Sequence, residues 1–244
     1  MSPIRLRLLP SALALAAVAL LSAGCTTTPA SPAPTSTSGS DAGAPGLERT
    51  ADDVEAAWLD DGRAIGIVTW GSSTRTCQPA VSGTDAEGQR VTLTLEDPAE
   101  AAEGCDTDLG PRAVIVPVPD GVDVTKDVDL QVTHGDLTAD IDLDGLDAAP
   151  QGASEQQASA GWFEDDGIVL LTYGSSSCPP VVQDLEMTDT GATVTFSAVA
   201  DRVCTMDFAP RATVITLPEE RDGDASFTLT LVGDNLDGEV AVAG

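Results

Sequence analysis

Along most of the chain, apolar and polar residues alternate one by one. Val91, Leu93 and Leu95 are interleaved with Thr92, Thr94 and Glu96. Val194, Phe196 and Ala198 repeat the pattern further on, and Val128, Leu130 and Val132 are matched by Phe227, Leu229 and Leu231. A period of two places one set on a buried face and the other in water, which is the signature of a half-buried strand. Turn-forming runs such as Thr188-Asp189-Thr190-Gly191 separate the segments. The pattern predicts strands near 64–70, 79–83, 90–96, 112–118, 127–133 and 138–143. A second set is predicted near 167–173, 180–187, 192–199, 211–217, 225–232 and 239–243. A short helical turn near Thr50–Trp58 is the one exception to strand periodicity.

The two sets belong to an internal duplication. Trp58-Leu59-Asp60-Asp61-Gly62 recurs as Trp162-Phe163-Glu164-Asp165-Asp166-Gly167. Thr69-Trp70-Gly71-Ser72-Ser73 recurs as Thr172-Tyr173-Gly174-Ser175-Ser176. The run from Cys105 through Asp108, Pro111 and Arg112 recurs from Cys204 through Asp207, Pro210 and Arg211. A repeat of this length is too long for a solenoid unit and suits small domains. The expected fold is therefore all-β, with two tandem small antiparallel β-sandwich or open-barrel domains. They are placed at 51–147 and 159–244, joined by an Ala/Pro/Gly/Ser linker at 148–158.

Composition narrows the chemistry. The chain has 244 residues, 40 acidic against 11 Lys and Arg, and a net charge of −29. Lys126, Asn235 and His134 are the sole representatives of their types. A basic nucleic-acid footprint is absent and a zinc site with two histidines cannot be built. No metal or cofactor is called for. Only 3% of residues are aromatic but 42% are hydrophobic, so the core is built of small aliphatic side chains.

The first residues, Met1 to Arg7, are short and positive, and an uncharged apolar run follows to Ala23. This is the layout of a secretory signal. The run ends Leu21-Ser22-Ala23-Gly24-Cys25, which resembles the lipobox of bacterial lipoproteins. The resemblance implies removal of residues 1–24 and diacylglycerol on the Cys25 sulfur. Ser22 departs from the Leu or Val that is commoner at that place. Two acyl chains would anchor the protein stably where one would not. Loss of Arg5 and Arg7 leaves 9 basic residues against 40 acidic ones, a charge of −31. Such a chain is repelled by anionic headgroups. Residues 25–50 read as the lipidated cysteine followed by a Ser/Thr/Pro tether, which reaches about 25–30 Å as a coil and nearly 80 Å as polyproline II. The Gly174-Ser175-Ser176-Ser177-Cys178-Pro179 signature and the lysine-poor, Ala/Asp/Gly/Val-rich usage also resemble uncharacterised lipoproteins of high-GC Gram-positive bacteria.

Four cysteines remain beyond Cys25, two in each copy, in a compartment that favours disulfides. Of three possible pairings the duplication selects Cys77 with Cys105 and Cys178 with Cys204, because each copy is then self-sufficient. Each closed loop contributes about 3.5 kcal/mol by chain entropy.

Candidate sites are few. The Gly-Ser-Ser turns lack a histidine or lysine common to both copies, so a serine nucleophile has no base in its sequence neighbourhood. Asp140-Ile141-Asp142-Leu143-Asp144-Gly145 begins like a calcium loop, but Gln151 stands at the twelfth position, and the segment reads as a final strand with acids on its wet face. Trp58 and Trp162 are placed as caps on each core. Asp108 with Arg112 and Asp207 with Arg211 stand at equivalent positions in a chain poor in arginine. They are expected to be ion pairs that either brace the second-cysteine loop or contact a ligand. The expected function is that of a non-catalytic binding or scaffolding module on the outer face of the cytoplasmic membrane, with an envelope protein or glycan as partner. A carboxylate-based hydrolase of an envelope glycan and a structural spacer are the alternatives.

Overall fold

The computed structural model describes residues 53–99, 104–198, 203–221, 223 and 226–244. The signal, Cys25 and the tether lie outside these residues. Both copies belong to one compact unit. Copy one contains β1 (Val54–Leu59), β2 (Ala64–Gly71), β3 (Ala80–Glu87), β4 (Arg90–Glu96), β5 (Gly110–Pro117), β6 (Val128–His134) and β7 (Leu137–Leu143). Copy two repeats them as β8 (Ser159–Glu164), β9 (Gly167–Gly174), β10 (Val182–Thr188), β11 (Gly191–Phe196), β12 (Ala209–Thr216), β13 (Phe227–Val232) and β14 (Gly238–Ala243).

The all-β expectation holds, and each copy has one strand more than the periodicity predicts. The expected helical turn near Thr50–Trp58 is instead β1, paired antiparallel to β2 from Val54↔Thr69 to Leu59↔Ala64. Both faces are buried, so no alternation shows, and Ala56, Ala57 and Glu55 break the continuous Ile/Val run that marks β2: Val54, Ala56 and Trp58 point one way, while Ala57 and Leu59 point the other. The same masking hides β8.

In copy one, β1-β2-β5 form one sheet and β3-β4-β6-β7 another. They pack face to face. Ile65, Ile67 and Val116 of the first meet Val91, Leu93, Leu130 and Val132 of the second in one core. Copy two repeats this core with Ile168, Leu170 and Ile215 against Val194, Phe196, Leu229 and Leu231. Its strands form one seven-stranded sheet, because β14 pairs with β8 at Val242↔Ala160 and Ala243↔Gly161. At the corresponding edge of copy one, Trp58 Nε1 donates to the carbonyl of Asp144 at 2.7 Å.

Two details correct the expectation of tandem antiparallel sandwiches or barrels. The pairs β4–β6 and β11–β13 are parallel. The chain leaves the four-stranded sheet after β4, places β5 in the other sheet and returns as β6, so β4 and β6 run the same way. The copies are also not free-standing. The outer face of β1-β2-β5 packs on that of β8-β9-β12, burying Ala57, Leu59, Ala64, Val68 and Ala113 against Phe163, Val169 and Leu171. The result is a stack of sheets with three cores rather than two. Small residues permit the close approach: a Cβ on Gly161 would collide with the Trp58 carbonyl, and one on Gly66 would lie 3.0 Å from Val169 Cγ1. Polar bolts flank this core. Ser159 Oγ accepts from Asp60 N at 2.8 Å, and Arg63 donates to the carbonyl of Gln151 at 2.6 Å, pinning the segment between the copies.

Candidate functional site

In each copy a strand of the inner sheet ends in the Gly-Ser-Ser turn, which the first cysteine follows. The second cysteine precedes the strand that pairs back on it. The bridges are Cys77–Cys105 and Cys178–Cys204, with Cα separations of 5.9 and 5.6 Å. The pairing is the one that the duplication selects.

The four charged residues singled out from the repeat converge on these loops. Asp108 Oδ1 accepts from Ser73 N at 3.0 Å, and Asp207 Oδ1 from Ser176 N at 3.2 Å. Arg112 donates to the Cys77 carbonyl at 2.7 Å, and Arg211 to the Cys178 carbonyl at 2.9 Å and the Tyr173 carbonyl at 3.2 Å. The aspartate thus satisfies an N–H of the turn and the arginine satisfies its carbonyls. Acid and base are joined through the same stretch of backbone. Each guanidinium lies against the glycine that opens the turn, where a Cβ on Gly71 or Gly174 would strike Arg112 or Arg211. A side chain at either glycine would push the guanidinium off its carbonyl partners.

The charges respond to this wiring. Hydrogen bonds from Ser73 hold the Asp108 carboxyl below its ordinary range. Those from Ser176 and then Thr205 pull Asp207 down to about 2. Burial lowers the Arg211 pKa. The nearby Asp234 opposes this shift and the field of Arg75 adds to it.

The Ser-rich turns use their hydroxyls locally. Ser72 Oγ accepts from Thr74 N, and Ser177 Oγ from Thr205 N at 2.8 Å. His134 is buried at the end of β6, its Nε2 2.9 Å from Asp97 Oδ1. Asp140 and Asp142 lie exposed on β7, as the strand reading of the calcium-like segment requires, and Gln131 donates to Asp140. Among the described residues no group of three or more His, Cys, Asp or Glu side chains is placed to hold a metal ion. No described helix is long and apolar enough to cross a membrane. Trp58 is buried in the copy-one core, and Trp162 packs edge-on to Phe227 at 5.1 Å.

Two features at the disulfide end were not legible as sites. The first is a cleft of about 440 Å3 between the copies, lined by Arg75, Gln78, Pro79, Pro179, Arg211 and the edges of β5 and β12. Arg75 reaches across it from copy one and donates to the carbonyls of Ser176 and Ser177. The second is an apolar tip on the copy-two loop. Val203 and Met206 are fully exposed and Phe208 is 63% exposed, its ring stacked on Tyr173 at 5.8 Å. Copy one carries Gly104, Thr107 and Leu109 at the matching places. The available signal was Val203 and Met206 standing where copy one has Gly104 and Thr107, whereas Phe208 matches another exposed apolar residue, Leu109.

No protein-family model, curated protein or solved structure matches the chain.

Proposed function

We propose that the chain is a lipid-anchored cell-envelope protein, attached through Cys25 to the outer face of the cytoplasmic membrane. It acts there as a non-catalytic binding or scaffolding module made of two fused copies of one disulfide-stapled β-domain. The observation that carries this reading is the apolar tip. Three apolar side chains stand in water on a loop clamped by the Cys178–Cys204 bridge and by Asp207. Three large apolar side chains exposed within six residues, on a chain of net charge −29, favour a contact surface. Because the Cys178–Cys204 bridge and the Asp207 hydrogen bonds restrain residues 204–207, less conformational entropy is lost when a partner covers them. The braced aspartates and arginines serve as the frame of that loop.

The test is photocrosslinking in intact cells. A photoreactive residue at position 206 is expected to trap one envelope protein or glycan, and the same residue at Thr107 is not. The reading fails if neither position yields an adduct and the purified chain hydrolyses a cell-wall glycan. Metabolic labelling with palmitate tests the anchor separately: the label is expected on the wild type and is lost in Cys25→Ala.

A further inference from the structure

The sheets have six edge strands, and they are not alike. Those at β1, β3, β7 and β10 carry acids, among them Glu55, Asp85, Asp140 and Asp184. Both β3 and β10 are also interrupted by bulges. Charges and bulges of this kind keep an edge from pairing with another chain. Neither β5 nor β12 has an acid or a bulge. These two edges, guarded only by proline near their ends, lie side by side and line the same cleft.

The backbone register says which groups they offer. Val118 N donates to Arg63 O and Leu217 N to Asp166 O, each one step beyond its strand, on the side of the paired neighbour. Alternation then turns Ala113 and Ile115 of β5, and Ala212, Val214 and Thr216 of β12, away from their neighbours. The prolines Pro111, Pro117 and Pro210 fall in the same outward set, where a missing N–H removes no ladder bond. On β5 the outward Ala113 carbonyl is taken by Gln78 Nε2 at 2.6 Å. In copy two Pro179 replaces Gln78 and has no side-chain donor, so among the described residues the Ala212 carbonyl lacks the counterpart of that bond.

We propose that β12 receives an extended peptide as an added strand, and that this peptide carries a carboxylate. The inference rests on the reading of the chain as a binding module. The outward amides and carbonyls of Ala212 and Val214 supply the ladder, as in other cases of strand addition. Charge selects the carboxylate. The chain bears −29 overall, yet the charged side chains lining this cleft are Arg75 and Arg211, with no acid among the described residues there. Arg211 Nε is buried without a hydrogen-bond partner.

The probe is an acetylated hexapeptide of alternating threonine and valine that ends in a free aspartate, titrated into the folded full-length chain and followed by amide NMR. Shifts are expected at Ala212, Val214 and Thr216. Amidation of both carboxyls, or Arg75→Gln, is expected to weaken binding by about tenfold or more, the loss of a charge-assisted hydrogen bond. N-methylation at one alternate set of peptide residues is expected to abolish binding, while methylation at the other set leaves it. That alternation depends on the backbone ladder and does not require a protein variant to fold. The proposal is overturned if both methylated peptides bind alike, or if the shifts map to Met206 and Phe208. It is also overturned if the edge responds only to self-association of the chain. Any of these results leaves crosslinking at position 206, and with it the binding-module reading, standing or falling by itself.

Discussion

Leu170 and Leu171 are neighbours on β9, both wholly buried, and they point to opposite sides. Leu170 faces the core of copy two, whereas Leu171 faces copy one across Ala57, Leu59 and Val68. If the copies were separate modules, Leu171 would lie on an outer surface, and Leu171→Ala would cost less than about 0.5 kcal/mol. In the stacked arrangement the substitution deletes three buried carbons. At roughly 0.8 kcal/mol each, the transfer loss is about 2.4 kcal/mol. The cavity left behind raises the cost to about 3–5 kcal/mol. For a folded unit of this size that lowers Tm by roughly 6–20 °C. The assay is urea unfolding of two single-tryptophan chains, one keeping Trp58 in copy one and the other Trp162 in copy two. Both reporters are expected to give the same midpoint, and Leu171→Ala is expected to move both together. A change below about 0.5 kcal/mol, or a shift seen by Trp162 alone, would refute the shared core.

Gly161→Val drives a branched side chain into the Trp58 carbonyl. It is expected to unfold the chain or split its transition in two, read by circular dichroism against Gly238→Val, where nothing lies near the added atom and the backbone is ordinary strand. Replacing Cys178 and Cys204 together by serine is expected to cost about 3.5 kcal/mol in chemical denaturation, and to broaden the NMR signals of Val203 to Phe208 first. The Asp207 pKa is depressed in the folded state, from 3.8 to about 2. Its contribution is therefore present above pH 4 and is lost as pH falls through 2. Loop protection measured by amide exchange is expected to fall over that window, and Asp207→Asn is expected to remove this part of the pH dependence.

The extra strands and the missed sites share one cause. Period two made β3, β4 and β6, with one wet face, readable, and β2 and β9, buried on both, were readable as runs rich in Ile, Val and Leu; β1 and β8 mix Ala, Gly, Ser and Glu and give neither signal. The apolar tip escaped because Met206 and Phe208 stand in a loop, where no periodicity distinguishes a side chain turned to water from one turned inward. The expectation for Asp108 and Arg112 was an ion pair beside the cysteine loop, and their backbone partners were not legible. Proximity in sequence suggests an ion pair, while the turn geometry offers each group backbone partners of its own.

Local alternation, turn residues and the repeat of motifs determined the all-β class, the duplication and the disulfide partners, because each is a property of short segments compared with one another. The back-to-back stacking of the copies, the third core and the placing of two acid-free edges along one cleft were decided by tertiary structure. They depend on which outer face meets which, and small residues such as Gly66, Ala57 and Gly161 permit that contact without announcing it.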